Sequence, residues 1–275
     1  MTRVLYNILC ATLIAVAIVA LPMASHAADN KTTARASWDA GIEAYNAKEY
    51  ARAVEAFEAV VANDYASAEV YYNLANAYFK LGQQSASSRP FAGGELGEAV
   101  LNYERALKLD PTLDDARYNL DIAKDYTNDT EAVPESFIKR VWRSMAGAMT
   151  TNGWVTLSIV MFGVALISFA IYLLNGCVMV RKVAFFLWLI VSLVFVLSTA
   201  LSFTQLKAAE VDNRAVILAS DTTPVHASPD SASKVIREPS QGVTVDVERT
   251  QGDWSEVRFA DGEKGWVRTA NVEII

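Results

Sequence analysis

The sequence predicts a multidomain membrane protein: all-α helical repeats, then a two-helix transmembrane hairpin, then a small all-β barrel. Three observations carry this. Residues 35–126 repeat small and aromatic positions with a period of about 34. Two uncharged stretches, Ser144–Val180 and Val183–Leu206, are separated only by Arg181 and Lys182. Residues 212–275 change to Val-rich alternation broken by glycine turns. Of the 275 residues 52% are hydrophobic and 20% charged, and the apolar excess is concentrated in these stretches, which excludes a plain soluble globule. The balance of 24 Lys+Arg against 31 Asp+Glu excludes nucleic-acid binding through a basic face. Two cysteines, Cys10 and Cys177, exclude a disulfide framework and a cysteine-rich zinc site. With only His26 and His226 besides, no metal, no cofactor and no catalytic residue is expected.

At the N-terminus, Arg3 precedes an apolar run from Val4 to Leu21, and no charge recurs before Asp29. Ser25 and Ala27 then offer small residues at a cleavage position. This is the layout of a secretory signal over residues 1–27. An uncleaved anchor is the alternative, because the run is long and its flank carries one charge. Cys10 is no lipid attachment site, since it lies inside the run after Leu9.

The first repeat copy reads Trp38, Gly41, Tyr45, Tyr50, Ala53 and Phe57. The second reads Tyr71 to Gly82 and then Ala99 to Pro111, interrupted at 83–94 by twelve Ser/Gly-rich residues. The third stops after one helix, with Ala116, Tyr118, Asn119 and Ala123. Small residues sit where helices touch and aromatics fill the gaps. Pro111 ends a helix because it lacks the donor. The pattern resembles the tetratricopeptide (TPR) repeat, with residues 35–126 as the domain. The 83–94 insertion reads as a tolerated loop, and the third unit as a cap over the apolar end of the array.

Resemblance to that family implies a concave groove lined by the first helix of each pair. Its candidates here are Trp38, Tyr72, Asn73, Asn76, Lys80, Tyr118 and Asn119, together with Ile42, Tyr45, Phe79 and Ile122. Core packing is the competing role for each aromatic. Asn73, Asn76 and Asn119 echo the carboxylate clamps of some relatives, but Trp38 stands where a basic residue is wanted, so that clamp is rejected. Residues 28–134 hold 10 Lys+Arg against 18 Asp+Glu, which disfavours acidic ligands.

Residues 134–150 interleave Lys139, Arg140 and Arg143 with Phe137, Ile138, Val141, Trp142 and Met145. Such a segment reads as a short helix on the membrane surface, or as an extension of the next helix. Segments 154–174 and 183–203 each supply the roughly 20 apolar residues that a membrane span needs. An exported start places both ends of the chain outside and Arg181 and Lys182 inside, as the positive-inside rule asks. Lys139, Arg140 and Arg143 argue for the inverse orientation, and the first hydrophobic segment is given precedence.

In residues 212–275, Val243, Val245, Val247, Val257 and Phe259 alternate between turns at Gly252 and Gly262. The Gly252 to Val257 and Gly262 to Val267 pair resembles the bacterial Src-homology-3-like domain. Trp254 and Trp266 are candidates for a barrel ligand face, with hairpin packing as the competing role. Resemblance to that family implies binding of cell-wall peptides or proteins.

The whole order of parts resembles the TPR component family of the Bacteroides aerotolerance (Bat) locus. The resemblance rests on Tyr71–Gly82, Val133 to Arg143, Asn152 to Trp154 and Gly252–Val267. It implies a membrane-anchored, non-enzymatic scaffold in the inner membrane that faces the periplasm. The partners it implies are Bat-locus membrane proteins with von Willebrand A domains, in a complex linked to aerotolerance or stress. The alternative is a cell-wall-binding adaptor acting mainly through the barrel.

Overall fold

The computed structural model describes residues 31–84, 91–127, 136–210, 213–219 and 222–275. The proposed signal at 1–27 lies outside them, as do residues 85–90 of the 83–94 insertion.

Five helices form the repeat region: α1 (residues 31–46), α2 (Tyr50–Ala62), α3 (Ala68–Gln84), α4 (Glu95–Leu109) and α5 (Asp114–Lys124). Each is amphipathic, and the apolar faces meet in sequence order. Ala53, Phe57, Leu74 and Ala77 join α1, α2 and α3. Ala75, Ala99, Tyr103, Ala106, Ala116 and Leu120 join α3, α4 and α5. Alanine at the crossings lets the helices approach, and Phe57 and Tyr103 fill the remaining volume without exposure. The unpaired α5 covers the end of the array.

Helix α6 (Phe137–Ala146) leads into α7 (Thr151–Leu174) and α8 (Val178–Glu210). At ~1.5 Å per residue, α7 is about 36 Å long and α8 longer still, enough to cross a ~30 Å hydrocarbon layer. Only 11% and 17% of their apolar windows are buried within the chain. A core helix of a soluble protein is mostly covered; these two are apolar all round and bare to the outside. Ala184, Val191 and Ser198 recur every seven residues on α8 and are buried, as are Ala165 and Ser168 on α7. Small residues at such a seam let two helices pack closely in lipid. Phe162–Phe195 and Phe169–Trp188 ring contacts, each 5.4 Å between centroids, zip the pair together. Helix α8 continues past the expected 183–203 window, so Arg181 and Lys182 belong to its first turns.

The C-terminal region is a seven-stranded antiparallel sheet: β1 (Arg214–Ile217), β2 (Val225–His226), β3 (Val235–Arg237), β4 (Thr244–Gln251), β5 (Trp254–Arg258), β6 (Lys264–Arg268) and β7 (Val272–Ile274). Their order is β3-β2-β6-β5-β4-β1-β7. Ala215, Ile217, Val225, Val243, Val245, Val257, Phe259 and Val267 form its core. Gly252 and Gly262 take positive φ in the turns, where a side chain would strain the backbone.

Strand β1 has two apolar faces. Ala215 and Ile217 point into the barrel core. Val216, with Leu218 beyond the strand and Ile275, packs into the α3–α5 core. The barrel is therefore docked on the array, against α4. Gly97 makes the approach possible: a Cβ there would meet the Ile217 carbonyl oxygen at 3.0 Å and the Leu218 Cα at 3.1 Å.

Candidate functional site

On the array, side chains from α1, α3, α4 and α5 meet in one polar-aromatic cluster. The Tyr103 hydroxyl donates to Asn76 Oδ1 at 2.6 Å. Asn119 Nδ2 donates to the same oxygen at 2.9 Å. Two donors on one oxygen fix the Asn76 amide, which leaves its NH2 and the Asn119 oxygen with capacity for a ligand. Tyr72 lies beside Tyr103, with centroids 6.3 Å apart. Burial, then the neighbouring Tyr72 and Tyr45 hydroxyls, push the Tyr103 phenol up from its ordinary value. Burial, followed by Tyr50 and Tyr72, does the same to Tyr45. The Tyr103 and Tyr45 phenols therefore stay neutral. An amide pair rimmed by phenols can satisfy the backbone of a peptide and add apolar area, which is chemistry suited to binding.

The remaining groove candidates are distributed differently. Asn73 lies next to this cluster on α3, but its Nδ2 is used by the Glu69 carbonyl at 2.8 Å. Lys80 is exposed and donates to Gln83 Oε1. Tyr118 is 68% exposed on a flank of α5. Trp38 packs edge-on against Phe57 at 5.5 Å, between α1 and α2, and serves the first hairpin's core. Phe79 is buried against Phe91 and Tyr126. Tyr72, Asn76 and Asn119 are thus brought together, and Trp38 and Phe79 are not. Tyr103, within the Ala99 to Pro111 segment of the second repeat, is a member of the cluster as well. Its tyrosine hydroxyl was the available signal, because a buried phenol needs a partner.

In the barrel, Trp254 and Trp266 lie on the outer face of the sheet. They alternate with Ser255, Val257 and Val267, which face inward. The arrangement is covered, however. Arg268 lies over the Trp254 ring at 4.3 Å and Arg249 over Trp266 at 5.1 Å. His226 meets Trp254 edge-on at 5.2 Å. Arg249 is held by Glu256 at 2.6 Å. Both indoles end up nearly buried, at 8% and 5% exposure. Cation–aromatic packing accounts for that geometry.

A polar seam joins barrel to array. Glu104, buried on α4, pairs with Lys124 at 2.7 Å and Arg214 at 3.0 Å. Burial alone would raise its carboxyl; the two cations outweigh that and hold it below the ordinary carboxylate value. Gln241 Oε1 accepts from the Leu96 and Gly97 backbone N–H groups. Its Nε2 donates to the Phe91 carbonyl. The described end of the insertion therefore has a structural role, with Phe91 filling the core and its carbonyl receiving the barrel. Nothing in local sequence patterning marks the contacts of Arg214 and Gln241, since their partners are more than a hundred residues away.

The fold is that of a helical-repeat array, of the kind that suggests protein–protein interaction, joined to a small β module. The family comparisons agree. Residues 221–273 match the bacterial SH3 domain, residues 90–122 the TPR repeat, and residues 68–88 the tetratricopeptide repeat. No curated protein and no solved structure gives a significant match. The helical TPR region, the two apolar helices and the SH3-type antiparallel sheet are the parts that the sequence predicts.

Proposed function

We propose that the chain is an inner-membrane scaffold, anchored by α7 and α8, that recruits a protein partner through the Tyr72–Asn76–Asn119 face. The observation that carries this is the Asn76 amide, held by Tyr103 and Asn119 with hydrogen-bonding capacity left over. Docking of the barrel on α4 supports a hairpin with both modules on one side. SH3-type domains of this bacterial kind favour the periplasm for that side. The resemblance to the Bat-locus TPR family suggests a von Willebrand A-domain membrane protein as partner, in a complex serving aerotolerance or stress.

Crosslinking in cells tests partner recruitment: one defined membrane protein is expected with the wild type and strongly reduced with Tyr72→Ala. Topology is tested by thiol labelling of intact spheroplasts with an impermeant maleimide. Cysteines at Ala51 and Ser231, in a Cys177→Ser background, are expected to react, and native Cys177 at the hairpin turn is expected to be protected. Labelling of Ala51→Cys or Ser231→Cys alone sinks the hairpin.

A second reading, a cell-wall-binding adaptor, is favoured by the outward placement of Trp254 and Trp266 on the sheet. It requires Arg249 and Arg268 to move off the indoles. Cosedimentation of the full chain with peptidoglycan, abolished by Trp254→Ala plus Trp266→Ala and indifferent to Asn76→Ala, decides for it.

A further inference from the structure

A cavity of about 1130 Å³ lies where the array, α6, the α7 and α8 ends and β1 converge. Its basic wall is formed by Lys108 and Arg117 from the array, Arg140 and Arg143 from α6, and Arg214 from β1. The carboxylates on that wall are Glu104 and Asp114. Glu104 is engaged by Lys124 and Arg214, and Asp114 by Arg117 at 2.6 Å. The five cations of this lining outnumber its two carboxylates, although Lys108 also donates to the Ile275 oxygen and residues 28–134 as a whole carry an acidic excess. Among the described residues, no carboxylate pairs with Arg140.

The floor of the cavity is the start of the apolar hairpin. Thr151 Oγ1 donates to Gln205 Oε1 at 2.9 Å, and Gln205 Nε2 donates to the Met149 carbonyl at 3.0 Å. These bonds pin the α6–α7 corner to α8. Trp142 Nε1 reaches Thr204 Oγ1 at 3.4 Å, tying α6 to the same level. Helix α6 presents apolar and basic side chains side by side. Phe137 and Ile138 are 76% and 77% exposed, with Val141 beside them. Arg140 and Arg143 line the cavity together with Ile138 and Trp142. A helix at a bilayer surface sets its apolar side chains at the acyl boundary and its basic ones at phosphate level.

We propose that this cavity binds the phosphate-bearing headgroup of an anionic phospholipid. Arg140 and Arg143 would contact the phosphate, and the acyl chains would run along the apolar side chains of α6. Guanidinium groups match phosphate oxygens with paired, charge-assisted hydrogen bonds. A site of this size takes a glycerophosphate headgroup whole. The proposal rests on the membrane-anchored reading above.

The test uses the full-length chain in bilayer discs of phosphatidylcholine and phosphatidylglycerol. Lipids retained after release into detergent are counted by native mass spectrometry. Wild type is expected to retain phosphatidylglycerol in preference. Arg140→Gln plus Arg143→Gln is expected to lower that preference about tenfold or more, each basic residue at headgroup level being worth on the order of fivefold. Lys182→Gln, at the far end of the hairpin, leaves it unchanged. If the double variant loses its helical circular dichroism, Arg140→Gln alone takes its place, with about a fivefold loss expected. Equal retention of the two lipids by wild type overturns the proposal, as does an undiminished preference in the folded arginine variants. Displacement of the retained lipid by millimolar inorganic phosphate overturns it in favour of a soluble phosphate ligand. A wild-type chain that never enters the discs removes the membrane reading and this proposal together; entry without lipid preference removes only this one.

Discussion

Gln241, from the barrel, accepts the backbone N–H of Leu96 at 3.1 Å in the first turn of α4. Helix α4 starts after Gly94, which has no side chain to cap it. The first N–H groups of a helix need an acceptor from outside, and here another module supplies it. The same side chain holds the Phe91 carbonyl and is itself buried. Gln241→Ala should cost about 1–2 kcal/mol, the range for a lost N-cap. The full chain's melting midpoint reads this, and an unchanged midpoint means that the seam is not formed in solution.

Gly97 is the steric counterpart of that bond. Any side chain there meets the backbone of β1, which has no rotamer with which to yield. Gly97→Val should therefore push the barrel off α4 while leaving each module folded. Limited proteolysis should cut the released barrel faster, and circular dichroism should keep both helix and strand signals. Equal protection of variant and wild type would rule out the docked arrangement.

Ala99 tests the repeat register itself. It is fully buried in the α3–α5 core, so Ala99→Leu overpacks a site already filled and should cost about 1–3 kcal/mol. A melt identical to wild type would contradict the helix pairing.

Glu104 gives the seam a pH dependence. Its folded carboxyl sits below the ordinary value because Lys124 and Arg214 outweigh the effect of burial. A depressed folded value means that the unfolded chain binds the proton more readily. The contribution to stability is thus present above the ordinary carboxylate range and lost as pH falls through the folded value. Glu98 acts in the opposite sense: burial, then Glu273 and Glu58, raise its carboxyl. In a Glu98→Gln background, stability should fall on acidification into the carboxylate range, and Glu104→Gln should flatten that fall. Urea titrations across pH measure both, and identical slopes with and without Glu104 would refute the clamp.

Legibility in the sequence tracks the range of the interactions. Helices α2 to α5 were readable because Ala, Tyr and Leu recur at helical spacing within each element. The α7–α8 pair was readable because uninterrupted apolar length has few other uses. Barrel parity was readable too, since Val257 and Trp254 fall on opposite faces by alternation alone. Trp38 and Phe79 were not separable from groove residues, because an aromatic on a repeat helix suits either side. Arg214 and Gln241 carry no such signal. Their partners, Glu104 and Leu96, lie in another module, and no local period encodes a contact over that separation.

The groove is where partner binding should concentrate. Tyr72 and Asn76 are four residues apart on α3 and share a face, and Asn119 reaches that face from α5 through Asn76 Oδ1. Asn76→Ala alone removes the oxygen on which Tyr103 and Asn119 converge. Because Tyr103 is almost fully buried, its hydroxyl would be left without that acceptor, at about 1–3 kcal/mol. A loss of binding in that variant would therefore mix stability with recognition. Tyr72→Ala separates them: its ring is half-buried and donates to nothing in the cluster, so folding should change little. Truncating one such aromatic at the centre of an interface typically costs ~2 kcal/mol or more of binding, a loss of roughly thirtyfold in affinity. Partner capture by the Tyr72→Ala chain, measured beside its melting midpoint, is expected to drop by that order with the midpoint held. Full capture with Tyr72 removed would exclude the concave face, and the outer face of the barrel would become the recruiting surface.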